Sequence, residues 1–326
     1  MSKKVLKGSN VLVTGATGLV GSHLTEQLVR MGANVHITCR SSDPRSYFSS
    51  KHLGDRVVSA ICDIKDFQRV FDVVSKYEIE YIFHLAAQAI VHTGFVNPLE
   101  TLNTNVMGTV NILEAARLSP RTKGIVVASS DKAYGKKCDN VIEGAPMAGD
   151  HPYDVSKSCT DLIARTYAKT YDLPVAVSRF GNIYGPGDLN FNRIIPGIMR
   201  AIIKNETFMI RSDGTFVRDY VYVKDVVDGY ITLMEQMSEA KGEAFNFGAA
   251  HKYSVLGMID AVGRILGVKV PYTVLNIQRN EIPSQSLNFE KAKTVLGWEP
   301  QQTFAEGIVS TADWYRRYFH ACNAGK

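Results

Sequence analysis

Short apolar runs alternate with amphipathic stretches through the first half of this chain, and this alternation constrains the fold more than any other feature. The runs NVLVTG, NVHITC, RVVSAI, YIFHLA, GIVVAS and PVAVSRF are rich in valine and isoleucine, as buried strands are. Amphipathic segments of helical length separate several of them, at residues 21–32, 98–118 and 152–173. Because strands linked through helices form a parallel sheet covered on both faces, we predict an α/β fold with a doubly wound parallel sheet.

Three glycines follow the first predicted strand and begin the first predicted helix. In VTGATGLVGSHL, Gly15, Gly18 and Gly21 are spaced three apart, with Thr17 and Leu19 beside the second. The first glycine permits a sharp turn, the second lets the backbone approach a pyrophosphate, and the third allows close packing of helix on strand. The helix N-terminus adds unpaired N–H groups. This placement predicts a Rossmann-type dinucleotide site, and the alternative is a glycine-rich turn without a ligand.

The regular alternation ends near residue 182. Shorter segments follow, including residues 191–204 and 303–319. We therefore predict that residues 1–182 form the dinucleotide-binding domain, completed by a return segment near residues 219–248. The remainder of residues 183–326 is expected to form a smaller mixed α/β C-terminal substrate lobe, with a cleft between the two as the ligand site.

The end of the second predicted strand indicates which dinucleotide binds. An acidic residue there would bond the ribose 2′-hydroxyl of NAD, whereas an arginine suits the 2′-phosphate of NADP. The sequence HITCRSSDP places Arg40 and Ser41 at this position, so NADP is favoured over NAD. The alternative is that Arg40 stacks on the adenine without selecting the phosphate. Residues further along the chain are expected to border the adenine and its ribose: Asp63, Ile64, Leu85, Ala86 and Ala87.

A tyrosine and a lysine lie four residues apart at the start of a predicted helix. In PYDVSKSC, Tyr153 and Lys157 therefore share one helix face. A tyrosine hydroxyl removes a proton from an alcohol only when its pKa is lowered, and a nearby ammonium lowers it. Lys157 would also hold a nicotinamide ribose, and Ser130, at the end of the strand GIVVAS, would hydrogen-bond the hydroxyl being oxidised. The alternative for such a pair is a solvated helix face.

Charge and cysteine content exclude several classes of protein. The net charge of +5 is spread along the chain with no basic block, so no nucleic-acid partner is expected, while an anionic small molecule is permitted. The five cysteines are widely spaced, and we expect them to be free thiols in a reducing compartment. No apolar run is long enough to cross a bilayer, and the N-terminal residues lack a signal core. We expect a cytoplasmic protein without a membrane partner or a metal site.

Together, the glycine motif, the strand-end serine and the YxxxK pair resemble those of the extended short-chain dehydrogenase/reductases that act on nucleotide-diphosphate sugars. The resemblance covers essentially the whole chain, including RFGNIYGPGD, RDYVYVKDVV and LGWEP. It implies that the smaller lobe binds the sugar nucleotide, with Asn182 and Arg218 near the diphosphate. Arg193, Arg211 and Arg279 are looser candidates, for which the alternative is an arginine in solvent.

Asp131 and Lys132, directly after the serine in SSDKAYG, distinguish branches of this family. Epimerases usually carry small or neutral residues there, whereas an acid followed by a proton-transfer residue resembles the sugar-nucleotide 4,6-dehydratases. Lysine in place of the usual glutamate is similar to the CDP-glucose 4,6-dehydratase branch, as are residues 86–117 and 181–196. His92 stands where an arginine is expected, however, and Arg40 resembles the NADP-using GDP-mannose dehydratases. The resemblance favours CDP-glucose or a GDP-linked sugar and leaves the base and the hexose open.

The resemblance implies a reaction in which Tyr153 takes the O4 proton while hydride leaves C4 for the nicotinamide. A neutral Lys132 then removes the C5 hydrogen, a protonated Asp131 gives its proton to the departing 6-hydroxyl, and the hydride returns to C6. This requires a lowered pKa for Lys132 and a raised pKa for Asp131. One alternative is a 4-epimerase or 4-reductase in which Asp131 and Lys132 form only an ion pair. Another is a non-catalytic dinucleotide sensor, which would need neither the pair nor Tyr153.

Two of the predicted helices, at residues 97–118 and 154–173, have apolar faces. The resemblance pairs these faces across a two-fold axis as a four-helix bundle. We therefore expect a homodimer. The alternative is that both helices only cover the sheet within one monomer.

Overall fold

The computed structural model describes residues 5–136, 138–277 and 282–324. Strands and helices alternate along most of these ranges. The strands are β1 Asn10–Thr14, β2 Asn34–Cys39, β3 Val58–Ile61, β4 Tyr81–His84, β5 Gly124–Ala128, β6 Cys138–Val141, β7 Val175–Phe180, β8 Asn182–Tyr184, β9 Phe208–Ile210, β10 Val217–Tyr222, β11 Ala244–Phe247, β12 Lys252–Ser254, β13 Tyr272–Val274 and β14 Ser284–Leu287. The helices are α1 Leu19–Arg30, α2 Tyr47–Ser50, α3 Phe67–Lys76, α4 Val91–Val96, α5 Pro98–Leu102, α6 Gly108–Leu118, α7 Pro152–Tyr171, α8 Ile194–Lys204, α9 Val223–Glu235, α10 Met237–Ala240, α11 Val255–Leu266, α12 Glu290–Leu296 and α13 Phe304–Ala324.

Seven parallel strands form the larger sheet, in the order β11-β7-β5-β4-β1-β2-β3. The central strands β1, β5 and β7 have no exposed residue, because helices pack on both faces of the sheet. The prediction of a doubly wound, Rossmann-type α/β fold is confirmed. The strand order reverses between β1 and β4, and doubly wound sheets bind their ligands in the crevice at the carboxyl ends of such strands.

A smaller mixed sheet has the order β12-β10-β14-β6, with β8 also paired to β10. In this sheet β12 runs antiparallel to β10, whereas the other pairs are parallel. A separate parallel pair is formed by β9 and β13. The predicted smaller mixed α/β region beside the parallel sheet is therefore present.

The two sheets do not follow the chain in two consecutive blocks. The strand β6 comes before residue 182 yet pairs with β14 in the smaller sheet, so the predicted boundary at residue 182 needs correction there. The sequence of β6, CDNV, is short and half polar, so neither its strand character nor its distant partner is evident beforehand. The strand β11, within the predicted return segment, pairs with β7 in the larger sheet. The assignment of the two parts to cofactor and substrate stays a prediction.

The predicted helix at residues 98–118 consists of α5, a π-helical turn at Asn103–Met107, and α6. The π-helical turn carries a buried asparagine, Asn105, whose Oδ1 accepts from Gln88 N at 2.7 Å and whose Nδ2 donates to Ser156 Oγ at 2.9 Å. These bonds tie α7 to the turn that follows β4. Among the helices of the described ranges, none combines the length and the apolar character needed to cross a membrane.

Candidate active site

The three glycines of the predicted dinucleotide loop lie between β1 and α1. Gly15 has a φ of +73°, and a Cβ added there would lie 2.8 Å from the backbone nitrogen of Ala86. A Cβ at Gly21 would lie 2.1 Å from the Gly15 oxygen, whereas the nearest atom to a Cβ at Gly18 is 3.4 Å away. The packing of the protein itself therefore requires Gly15 and Gly21, but it leaves room at Gly18.

The start of α1 suits a phosphate group. Its N-cap is Gly18, which makes no side-chain capping bond, and the half-buried residues Thr17 and Leu19 flank it. The first N–H groups of a helix lack partners within the helix, so an uncapped start beside open space is favourable for a pyrophosphate. The residues present thus fit a dinucleotide cofactor.

A buried polar chain supports the turn after β4. That turn contains three predicted cofactor residues, Leu85, Ala86 and Ala87. The hydroxyl of Thr14 lies 2.8 Å from His84 Nδ1 and accepts from Ala86 N at 3.1 Å. Burial, and secondly the charge of Lys157, lower the pKa of His84 to about 3, so its ring stays neutral. The turn is therefore fixed beside the glycine loop by uncharged hydrogen bonds.

Arg40, directly after β2, lies in an ion-pair cluster with Ser41 exposed beside it. Its Nη1 is 3.6 Å from Asp63 Oδ2 and 3.8 Å from Glu100 Oε1, and Lys65 Nζ lies 3.0 Å from the same glutamate oxygen. The Arg40 side chain is 60% exposed, so these contacts contribute little and are open to exchange for ligand oxygens. The structure brings Arg40 and Asp63 together and adds Lys65 and Glu100, which no sequence motif marks.

Ile64, another predicted cofactor residue, lies in the packing of α6. Its side chain is buried, and a Cβ at Gly108 would lie 2.5 Å from its tip. Its carbonyl accepts from Asn111 Nδ2 at 2.9 Å. These contacts hold α6 against the segment that follows β3.

The stretch SSDKAYG forms a tight 3₁₀ turn, Asp131–Tyr134, after β5. Ser130 Oγ donates to Asp131 Oδ1 at 2.8 Å and accepts from Lys132 N at 3.2 Å. Lys132 Nζ lies 3.1 Å from Asp131 Oδ2, and the two side chains are 23% and 4% exposed. A hydroxyl, a carboxyl and an amine are therefore joined by hydrogen bonds at the carboxyl end of the larger sheet.

Tyr153 and Lys157 both lie on α7, and the start of this helix is bonded to the end of β5. Lys157 Nζ donates to the carbonyl oxygen of Ala128 at 2.7 Å, and Ser129 Oγ donates to the Lys157 carbonyl at 3.3 Å. Burial lowers the pKa of Lys157 to about 8. The strand and the helix thus present Ser130 and Tyr153 to the same place.

The pKa of Tyr153 differs from the expectation. Burial raises it to about 12, the negative charge of Asp131 adds to the rise, and a hydrogen bond with Ser130 and the charge of Arg193 oppose it. Lys157 is not among the groups that shift the pKa of Tyr153 here, and its Nζ donates to the Ala128 carbonyl, so the expected lowering by Lys157 stays a prediction.

Two buried side chains behind the turn were not predicted. Gln285, on β14, has no exposed surface, and its Oε1 accepts a hydrogen bond from Lys132 Nζ. Asp219, on β10, is equally buried, and burial and secondly the charge of Asp131 raise its pKa to about 7. No motif marks Gln285. Asp219 stands in RDYVY, where the neighbouring Arg218 was the predicted substrate residue, so its position in that motif was the available signal.

A fully buried ion pair supports the turn Asp131–Tyr134. Arg179, on β7, donates from Nε and Nη2 to the two carboxylate oxygens of Asp161 at 2.7 and 2.8 Å, and neither side chain is exposed. Arg179 Nη1 donates to the hydroxyl of Tyr134, which in turn donates to Asn246 Oδ1 at 2.7 Å. The last residue of the turn is thereby anchored to β7, α7 and β11.

Two of the predicted substrate residues lie together on the paired strands β8 and β10. Asn182 Nδ2 donates to the Asp219 carbonyl at 3.2 Å, and Arg218 Nη1 donates to the Val217 carbonyl at 2.8 Å. Asn182 is therefore bonded to the backbone of the residue whose buried carboxyl lies behind the turn.

The other predicted substrate residues are more widely spread. Arg193, at the start of α8, pairs with Asp188 at 3.1 Å and is near enough to Tyr153 to affect its pKa. Arg211 Nη2 donates to the carbonyl of residue 192, beside Arg193, at 3.3 Å. His92 is exposed on α4. Arg279 lies outside the described residues.

Comparison with known proteins extends this picture along the chain. A family model described as GDP-mannose 4,6 dehydratase matches residues 12–311. CDP-glucose 4,6-dehydratase of Salmonella typhimurium is 30% identical, over 98% of this chain and 93% of its own length. Among solved structures, UDP-glucose 4-epimerase from Thermotoga maritima with UDP-glucose has a TM-score of 0.86 at 28% identity, covering 95% of this chain and 99% of that one. For dTDP-glucose 4,6-dehydratase from Bacillus anthracis in complex with NAD, the TM-score is 0.83 at 26% identity, with 95% and 97% covered.

Proposed function

This chain belongs to the GDP-mannose 4,6 dehydratase family, within the extended short-chain dehydrogenase/reductases, and from that premise we propose that it is a sugar-nucleotide 4,6-dehydratase. An NAD(P)-dependent enzyme that modifies sugar nucleotides is the broader statement that the relatives support. Its proposed reaction converts a nucleotide-diphosphate hexose, with CDP-glucose or a GDP-linked sugar favoured, to the 4-keto-6-deoxy product.

The observation that carries the proposal is the pair Asp131 and Lys132 beside Ser130. Oxidation of an alcohol needs one base, for which Tyr153 is available. Elimination of water needs a further acid and a further base, and the two residues of the turn supply one of each. Their contact at 3.1 Å means that a proton can pass from the amine to the carboxyl over one hydrogen bond.

The protein's own residues perform the steps in order. A bound nicotinamide dinucleotide would supply the hydride chemistry, accepting hydride from C4 of the hexose and returning it to C6. Tyr153 takes the O4 proton while Ser130 holds that oxygen. The 4-ketone acidifies the C5 hydrogen, so neutral Lys132 removes it while Asp131 protonates the departing 6-hydroxyl. Lys132 then returns its proton to C5 as C6 becomes a methyl group.

The experiment that tests this function is mass spectrometry of the purified protein with a panel of CDP-, GDP-, dTDP- and UDP-hexoses and no added cofactor. Loss of one water from one member would establish the dehydratase, identify its substrate and indicate that a cofactor co-purifies. If every sugar nucleotide is returned without loss of water, the dehydratase proposal fails.

A 4-epimerase is the second candidate. The fold of UDP-glucose 4-epimerase from Thermotoga maritima is shared at 28% identity, and Tyr153 with Ser130 would suffice for oxidation and reduction at C4. Asp131 and Lys132 would then form only an ion pair. A product of unchanged mass and altered configuration at C4 would favour this candidate.

The choice of NADP over NAD depends on Arg40. Arg40 after β2 and Lys65 after β3 supply two neighbouring cations, which supports NADP, whereas Asp63 and Glu100 offset their charge. If Arg40 binds the 2′-phosphate, Arg40→Ala should weaken NADPH binding about tenfold or more and leave NADH binding within about twofold. Fluorescence titration of the cofactor-stripped protein measures both affinities. Equal losses for both dinucleotides would mean that Arg40 contacts the shared adenosine instead.

We also propose a homodimer. Large apolar side chains are exposed on neighbouring helices: Phe95 of α4 is 72% exposed, Leu99 of α5 is 69% exposed and Leu162 of α7 is 51% exposed. The helices α5 and α7 pack against each other, so a second copy placed across them would cover these side chains in a four-helix bundle.

A further inference from the structure

Lys132 is held by a residue that is distant in sequence. Its Nζ lies 3.1 Å from Asp131 Oδ2 and also bonds the Oε1 of Gln285, on β14 of the smaller sheet. Gln285 is fully buried, and its Nε2 has no hydrogen-bond partner among the residues that the structure describes. A buried donor without a partner destabilises the folded state, so stability alone does not account for a glutamine at this position.

A buried carboxyl lies on the neighbouring strand. Asp219, on β10, occupies space that two glycines leave open: a Cβ at Gly181 would lie 2.4 Å from its Oδ1, and one at Gly248 would lie 3.3 Å from its Oδ2. One backbone N–H donates to Oδ2 at 3.2 Å, while Oδ1 has no partner within the described ranges. The carboxyl is close enough to Asp131 and Lys132 for their charges to act on it.

We propose that Gln285 and Asp219 are positioning residues for the elimination step and act through Lys132 and Asp131. Gln285 holds Lys132 Nζ against Asp131, and Asp219 retains a proton within the group of acids around Lys132, which resupplies Asp131 after it protonates the departing hydroxyl. The inference rests on the proposed dehydratase function, because oxidation at C4 makes no demand on either residue.

An uncharged partner suits a lysine that must act as a base. Asp131 alone would favour the ammonium form of Lys132, which cannot take the C5 proton. The amide oxygen of Gln285 accepts an N–H from a neutral amine as well as from an ammonium, and it adds no negative charge. It therefore fixes the nitrogen while leaving the lone pair of neutral Lys132 for the substrate.

Asp131 acts on Asp219 through charge. Carboxyl groups that lie close together do not ionise independently, and a buried pair tends to retain one proton. Burial and Asp131 raise the pKa of Asp219 to about 7, and burial raises the pKa of Asp154, the other acid near Lys132, to about 6. The group of acids thus retains a proton near neutral pH for the departing hydroxyl.

Rapid kinetics separates the two halves of the reaction. Absorbance of the reduced nicotinamide reports oxidation at C4, and mass spectrometry of quenched samples reports loss of water. For Gln285→Leu and Asp219→Asn we expect the oxidation rate and KM to stay within about threefold of wild type while water loss slows roughly tenfold or more. Reduced cofactor should therefore accumulate. Gln236→Leu and Asp225→Asn, at buried or half-buried positions away from the turn, are the matched controls and should alter neither rate.

The variant Gln285→Glu distinguishes a positioning role from a merely structural one through the pH dependence of water loss. It keeps the acceptor but adds a carboxylate against Lys132, so the pKa of the amine should rise. Water loss should then fall near neutral pH and recover as the pH is raised. If Gln285→Leu and Asp219→Asn slow oxidation and water loss equally, the positioning role is overturned.

Chemical labelling of Lys132 tests the effects of Gln285 and Asp219 on this lysine independently of catalysis. Pulses of acetic anhydride at graded pH, followed by peptide mass spectrometry, measure the pKa of Lys132 in each folded variant. Gln285→Glu should raise it and Asp219→Asn should lower it. If wild type dehydrates no sugar nucleotide, the proposed function fails, and with it the role in elimination. An unshifted Lys132 pKa in both variants would independently overturn the claim that Gln285 and Asp219 act on this lysine.

Discussion

Three carboxyl groups surround one lysine at the end of β5. Burial raises the pKa values of Asp154 and Asp219 to about 6 and about 7, and the charge of Asp131 adds to both while Lys132 opposes both. Such crowding disfavours the fully ionised cluster, which is how a carboxyl stays protonated near neutral pH. The motif SSDK indicates the two central residues, but Asp154 and Asp219 approach from α7 and β10, and no local pattern connects them to the turn.

Replacement of Lys132 tests its proposed role as the base of elimination. For Lys132→Ala we expect water loss to fall about 10²- to 10⁴-fold, because proton transfer at C5 loses its acceptor, while oxidation at C4 persists. Product mass measures water loss, and the absorbance of reduced nicotinamide measures oxidation at C4. Lys136→Ala is the matched control, since Lys136 is exposed and pairs with Asp150 at 2.7 Å. Full conversion to a product of unchanged mass by Lys132→Ala would identify an epimerase or reductase.

Asp219 should make stability depend on pH. Its pKa of about 7 in the folded state exceeds the ordinary value of 3.8, so the folded protein binds the Asp219 proton more tightly than the unfolded chain does. The contribution of this proton to the free energy of unfolding is fully present below pH 3.8 and is lost as the pH rises to about 7. Asp219→Asn cannot ionise, so above pH 7 its free energy of unfolding should exceed that of wild type, by up to about 4 kcal/mol. Urea denaturation at about pH 4.5 and pH 8 measures this difference. A difference that does not change with pH would contradict a raised pKa.

The turn that carries Asp131 and Lys132 is stabilised by neighbouring elements more than by its own hydrogen bonds. Tyr134 joins it to Arg179 on β7 and Asn246 on β11, and Gln285 joins it to β14. The runs GIVVAS and PVAVSRF predict β5 and β7 as elements. The side-chain bonds between these elements depend on register and on partners distant in sequence, which apolar patterning does not determine.

The glycine loop allows packing and ligand binding to be separated. For Gly21→Ala we expect the free energy of unfolding to fall by about 1–3 kcal/mol, because its Cβ would overlap the Gly15 oxygen. For Gly18→Ala we expect a change below about 1 kcal/mol but markedly weaker NAD(P)H binding, because its Cβ would occupy the space left for the pyrophosphate. Urea denaturation of the cofactor-stripped protein and fluorescence titration measure these effects. Wild-type affinity in Gly18→Ala would mean that the loop does not approach the pyrophosphate.

At the scale of the whole molecule, the larger sheet could be predicted and the smaller one only in outline. The central strands β1, β5 and β7 are buried on both faces and therefore appear as apolar runs, and the glycine loop follows the first of them. The edge strand β3 is mostly exposed. The pairing of β6 with β14 is not indicated by an apolar run, because β6 is half polar and its partner is far along the chain. Gln285 was not predicted for the same reason.

Oligomeric state is the prediction that belongs to this scale. We expect wild type to sediment as a dimer and Leu99→Glu combined with Leu162→Glu to sediment as a monomer, because buried unpaired charges would separate the proposed helix bundle. Sedimentation velocity at matched concentrations measures both. Met209→Glu, at an exposed position on β9, should remain dimeric. A wild-type monomer over the same concentrations would rule out the bundle.

The contact between Lys132 and Gln285 spans 153 positions of the chain. During synthesis, the glycine loop and the strands from β1 to β5 leave the ribosome long before β14 does. The proposed dinucleotide loop is therefore made early, whereas Lys132, the proposed base of elimination, acquires its second partner only when the chain is nearly complete. The residues proposed for cofactor binding and those proposed for elimination would thus be completed at different times during synthesis.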